Sequence, residues 1–85
     1  MNPYRVTLSK TAQKQLDKLP DNVALPIIKT IKKLSLNPRP HGYKKLKGRD
    51  AFRVRQGNYR IIYEIHDQIL LVAVIAIGHR KNIYE

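Results

Sequence analysis

Arginines at positions 53, 55 and 60 are the residues in this chain best placed to do chemistry. They flank Gly57-Asn58, a dipeptide that favours a two-residue hairpin turn. Such a turn pairs Gln56 with Tyr59, Arg55 with Arg60, Val54 with Ile61 and Phe52 with Tyr63. Side chains alternate across a strand. One face therefore carries Phe52, Val54, Tyr59, Ile61 and Tyr63, and the other carries Arg53, Arg55 and Arg60. Two arginines directly opposite one another repel unless an anion lies between them. A single surface arginine is ordinarily just solvated. Three on one face, beside a basic loop, point to an anion site.

The surrounding charge points the same way. Seventeen Lys and Arg stand against six Asp and Glu, a formal +11. From Arg39 to Arg60 there are eight basic residues and a single acid, Asp50. Lys44, Lys45, Lys47 and Arg49 belong to this segment and are expected to hold phosphate. An evenly spread charge would serve solubility. A concentrated one is the footprint of a polyanion, above all RNA, or of an acidic protein.

Other chemistries find little support. With no cysteine there is no disulfide, no thiolate nucleophile and no thiolate metal ligand. The three histidines lack metal-ligand spacing, so neither metal nor cofactor is expected. There is no phosphate-cradling glycine loop and no nucleophile elbow. Glu64 falls on the arginine side and reads as a salt-bridge partner, not as half of a two-carboxylate pair. His41 and His66 read as loop and turn residues. His79 is different: Gly78-His79-Arg80 leaves the end of an apolar strand, where functional groups often sit.

These residues need a frame. Eighty-five residues allow one domain, taken as 1–85. Tyr4 to Leu8 alternates like a short strand. Ser9 is a good N-cap for a helix with Ala12, Leu16 and Leu19 along one stripe, ended by Pro20. Asp21 can cap a second helix with Val23, Ile27, Ile28, Ile31 and Leu34 on its apolar face. Pro26 lies early in that helix and is expected to fray or delay its start. Asn37-Pro38-Arg39-Pro40 stops it, and residues 41–50 read as a loop. Strands follow over Ala51–Gln56, Asn58–His66 and Ile69–Ile77, with His66-Asp67-Gln68 as the second turn. The last strand is apolar on both faces, so it should be central, with the sheet covered or concave on its second side. The order β-α-α-β-β-β gives an α+β fold, with a helical hairpin on one face of a small, mainly antiparallel sheet. The start of the chain does not look like a secretory signal, and no stretch suits a membrane-spanning helix. A reducing cytoplasm is the expected setting.

Leu46-Lys47-Gly48, Phe52-Arg53-Val54-Arg55, the run Gly57 to Tyr63, and Gly78-His79-Arg80 with Tyr84 together resemble the RelE/ParE toxin superfamily, and the RelE-type branch most of all. The resemblance spans essentially the whole chain. It implies the toxin of a type II toxin–antitoxin system, free as a monomer and silenced in a hetero-oligomer by an acidic antitoxin. It further implies a metal-independent endoribonuclease that enters the ribosomal decoding site and cuts messenger RNA by attack of a ribose 2′-hydroxyl on the adjacent phosphate. By position, Arg60 matches the transition-state clamp, Arg80 a second phosphate-binding arginine, and Tyr84 the tyrosine that orients the base beside the cut. Arg53 and Arg55 stand where relatives carry lysines, one of them a proposed base. Arginine holds its proton too tightly for that task. His79 is then the leading titratable candidate, with Lys44, Lys45 and Lys47 behind it. The same superfamily includes ParE-like inhibitors of DNA gyrase, and a basic RNA-binding module without catalysis is the third reading.

Overall fold

The computed structural model describes residues 3–79. Its elements are β1 (Arg5–Leu8), α1 (Lys10–Asp17), α2 (Asp21–Leu36), β2 (Lys44–Lys45), β3 (Phe52–Gln56), β4 (Tyr59–His66) and β5 (Leu71–His79). The strands form one sheet in the order β1-β5-β4-β3-β2. β1 runs parallel to β5, and the other neighbours are antiparallel. This is the expected α+β arrangement with one strand more. The 41–50 segment is not all loop, because Lys44 and Lys45 pair with Arg53 and Phe52.

Both helices lie on one face. Ser9 caps α1, its Oγ accepting from the Ala12 N–H at 3.0 Å. The buried residues Ala12 and Leu16 are one turn apart and look at the sheet. α2 begins at Asp21, with Pro20 in the N-cap position. Asp21 thus sits in the first turn, where its charge complements the helix dipole, instead of capping. Pro26 neither frays nor delays the helix. The Val23 and Ala24 N–H groups both donate to the Pro20 carbonyl at 2.9 Å, closing the first turn upstream of Pro26. The carbonyl left without an intrahelical donor belongs to Asn22, an exposed residue that water can reach.

Ala24, Ile27, Ile31 and Leu34 pack with Val54, Ile61, Tyr63, Val72, Val74 and Ile77 into the main core. Tyr63 is fully buried, and its hydroxyl donates to the Pro38 carbonyl at 2.7 Å. That bond ties the segment leaving α2 to the middle strand.

β5 packs on the helices with one face and is partly covered on the other. β4 pairs Ile62 with Ala76 but Tyr63 with Val74, so Ile75 is an extra residue, a β-bulge. The bulge lets Val72, Val74 and Ile77 all face the helices. Ile75 and Ala76 pack instead on a second, smaller cluster of Leu46, Ala51 and Ile62. Some strand limits differ from the sequence reading. β1 starts at Arg5, because Tyr4 exchanges hydrogen bonds with Ser35 of α2. β3 starts at Phe52 and β4 at Tyr59. His66 closes β4, the turn takes Asp67–Ile69, and Leu70 adopts a left-handed φ of 51°. β5 therefore runs from Leu71 to His79 rather than from Ile69 to Ile77.

Arg39 is drawn away from the basic segment. Its Nη2 lies 2.7 Å from Asp67 Oδ2 and its Nη1 3.1 Å from Oδ1, to which the Tyr4 hydroxyl also donates at 2.6 Å. The hydrogen bond from Arg39, then that from Tyr4, lower the Asp67 carboxyl from 3.8 to about 2. A carboxyl lowered on folding contributes stability above its unfolded value and loses it as pH falls through the folded one. The melting temperature should therefore decline between about pH 4 and pH 2, and Asp67→Asn should remove that part of the decline. Melts followed by circular dichroism across this range check it. The pair is exposed, so the effect should be small.

Candidate nucleic-acid interface

The arginine face is built by a tight hairpin. Gly57 takes φ 60° while Asn58 keeps a negative φ, the pattern of a type II′ turn, which needs glycine first. That turn fixes the register. Arg55 lies opposite Arg60, Arg53 opposite Ile62, Val54 opposite Ile61 and Phe52 opposite Tyr63. The two faces expected from the sequence are therefore present.

The arginine side is not an open cationic plane, however. Leu46 and Ala51 fold over it and pack on Ile62, giving it an apolar floor. Arg53 is only 4% exposed, Arg60 is half-buried and Arg55 is exposed. The three arginines are thus graded from inside to outside. Arg55 and Arg60 form the accessible pair, and Arg53 lies deeper on the same face. On β4, Arg60 has Arg55 on one side and Gly78 of β5 on the other. Gly78 itself contributes no side chain beside Arg60.

The loop cations are all exposed. They do not share one face. Lys44 is opposite Arg53 and belongs to the arginine side, whereas Lys45 is opposite Phe52 and belongs to the helix side. Lys47 and Arg49 follow buried Leu46 in the turn leading to β3. A cleft of about 490 Å³ opens at this sheet edge, and Thr30, Lys33, His41, Lys44, Arg53 and Arg55 line it. Lys33 and Thr30 come from α2, which the sequence presented only as a core helix. The signal for them was the Pro38–Pro40 stop, which returns the chain from the end of α2 directly to the basic loop.

His79 is placed apart from the arginines. It pairs with Tyr59, and the rings meet edge-to-face with centroids 5.5 Å apart. Paired residues share a face, so His79 is on the helix side of the sheet. Arg80 and Tyr84 lie outside the described residues. Glu64 falls on the arginine side as expected, where its Oε1 is 3.0 Å from His66 Nε2.

The profile of the ParE toxin of type II toxin–antitoxin systems, parDE, matches residues 6–84. The chain belongs to this toxin family. The Mycobacterium tuberculosis toxin RelG is 34% identical over 86 residues, covering 96% of this chain and 97% of its own. Solved structures agree. The toxin–antitoxin complex RelBE2 from M. tuberculosis matches with a TM-score of 0.81 at 31% identity, over 92% of this chain and 99% of that one. The archaeal RelE–RelB complex from Pyrococcus horikoshii OT3 gives 0.83 at 26% identity, over 95% and 99%. The toxin thus has the RelE-like fold, and these two relatives are solved in complex with antitoxins.

Proposed function

We propose that this toxin is a ribosome-dependent endoribonuclease that cleaves messenger RNA in the decoding site and is silenced by an acidic antitoxin. The observation that carries the reading is the pair Arg55–Arg60, two arginines directly opposite one another across a hairpin and on one face, Arg55 exposed and Arg60 half-buried. Such a pair is stabilised by an anion between its members. A phosphate that acquires a further charge in the transition state suits it better than a resting one, so the pair favours reaction over mere binding.

The step is an in-line displacement. The 2′-hydroxyl oxygen forms a bond to the neighbouring phosphorus and gives up its proton. The bond to the 5′ oxygen breaks, and that oxygen takes up a proton. The products are a 2′,3′-cyclic phosphate and a 5′-hydroxyl. Arg60 and Arg55 hold the non-bridging oxygens, with Arg80 as a further clamp and Tyr84 as the base-orienting ring. Lys44, Lys47 and Arg49 continue the cationic track. Lys44 stands opposite Arg53 on the reacting side, whereas His79 stands behind the sheet. Geometry therefore favours Lys44 over His79 as the group that takes the 2′ proton. His79→Gln should leave the pH–rate profile of cleavage unchanged, and Lys44→Gln should alter it. The opposite pair of results reverses the assignment.

The family name supports a second reading, a ParE-like toxin that inhibits DNA gyrase by binding. Purified toxin is added to a translation extract and, separately, to a gyrase supercoiling reaction. Arrest of translation with supercoiling intact is expected. Inhibited supercoiling with translation intact would overturn the proposal. A ribosomal target places the toxin in the cytoplasm.

A further inference from the structure

We propose that Gln15 pins the register at the end of β5 and is thereby a positioning residue for the arginine face. β1 accompanies β5 only from Leu71 to Val74. Beyond Val74, no described strand lies along that edge of β5. Backbone polar groups there need other partners. α1 and its cap supply them. The Ser9 N–H donates to the Val74 carbonyl at 2.9 Å, and Ser9 Oγ donates to the Ile75 carbonyl at 3.0 Å. The Ile77 N–H donates to Gln15 Oε1 at 2.6 Å. Together the three contacts straddle the bulge at Ile75.

The bulge decides what stands beside Arg60. A strand shifted by one residue exchanges its faces. In the observed register Gly78 is opposite Arg60 and Ile77 is opposite Ile61, inside the main core. Continuing the Tyr63–Val74 register without the bulge would set Ile77 opposite Arg60 and Ala76 opposite Ile61. The core would lose an isoleucine, and the isoleucine would crowd the arginine face. Gln15 selects against that arrangement, because its acceptor meets the N–H of Ile77 in the bulged register. Ser9 acts on the near side of the bulge and Gln15 on the far side, from which the chain continues toward Arg80. The effect on turnover rests on the RNA-cleaving reading, whereas the pin itself does not.

The test compares Gln15→Leu, which keeps volume and removes the acceptor, with Gln15→Glu, which keeps an acceptor. Gln15→Ala substitutes should the leucine variant fail to fold. In amide-exchange NMR on the toxin alone, Ile77 should exchange about tenfold faster or more in the leucine variant, because its local opening becomes easier. The Gly78 and Arg60 signals should shift with it, and the glutamate variant should resemble wild type. Unchanged Ile77 exchange and unchanged Arg60 signals would overturn the pin. On ribosome-bound message, kcat should fall about tenfold at an unaltered half-saturating concentration, the pattern of a misplaced clamp, with recovery in the glutamate variant. Shifted signals with wild-type kcat would overturn the positioning role. If wild-type toxin cleaves no message while the NMR result holds, the pin stands and the RNA reading fails.

Discussion

Arg60→Ala is expected to lower message cleavage by about a hundredfold or more and to abolish growth arrest, because it removes a preorganised donor from the reacting phosphate. The substitution should not unfold the protein. Arg60 is half-buried but lies outside both core clusters. It also faces Arg55, so its loss relieves a like-charge repulsion. Arg60→Lys keeps the charge but loses the planar two-pronged donor, and it should recover only part of the rate. Arg5, an exposed arginine on β1 and remote in the sheet order from β3, is the control. Arg5→Ala should cleave and arrest growth like wild type. Single-turnover cleavage on programmed ribosomes and plating after induction supply both readouts. An Arg60→Ala protein that remains folded and fully toxic would remove the clamp from the account.

Tyr63→Ala should be the most damaging substitution to the fold. Tyr63 is fully buried in the main core, stands two residues from Ile61 on the middle strand, and lies 6.1 Å from the Phe52 ring between centroids. Emptying such a site costs about 3–5 kcal/mol. A small domain has only about 5–15 kcal/mol in total, so much of the population should unfold at growth temperature. Tyr63→Phe isolates the hydrogen bond to Pro38. It leaves a buried carbonyl without its donor and should cost about 1–3 kcal/mol. Urea unfolding separates the two, with a larger fall in midpoint for alanine. Equal midpoints would mean that the hydroxyl, not the ring, is what the core depends on.

The hairpin could be read from the sequence because its signal is local. Gly57-Asn58 allows one tight turn, and the turn dictates every pair from Gln56–Tyr59 to Phe52–Tyr63. The helices were legible from periodicity, and Asp21 and Pro26 were the residues that misled. A proline is judged by what it removes, and here the removed bond belongs to an exposed carbonyl. Three features were not legible, since each depends on contacts distant in sequence. The bulge at Ile75 is hidden in a run where every residue is apolar, so no alternation marks the slip. The burial of Arg53 follows from Leu46 and Ala51 folding over Ile62. The placement of His79 follows from the bulge, because the extra residue changes which face each later side chain takes. Without it, the face of every residue after Ile75 would be the reverse. Lys33 was missed for a different reason: a lysine on an amphipathic helix ordinarily marks only its wet side.

Charge also looked simpler in the sequence than it is in the fold. Of the basic residues between Arg39 and Arg60, Arg39 is bound to Asp67, Arg53 is buried and Lys45 belongs to the helix side. The proposed polyanion surface narrows to Arg55, Arg60 and Lys44, with Lys47 and Arg49 at its rim.

Reaction at a phosphate held by Arg55 and Arg60 leaves its mark on the ends of the product. Purified toxin is mixed with ribosomes stalled on a defined, end-labelled message, and the fragments are analysed for both termini. A cut within the codon in the decoding site is expected, leaving a 2′,3′-cyclic phosphate and a 5′-hydroxyl, and slowed by about a hundredfold or more in Arg60→Ala. A message that stays intact on ribosomes under wild-type toxin, while the same preparation stops gyrase, would contradict it.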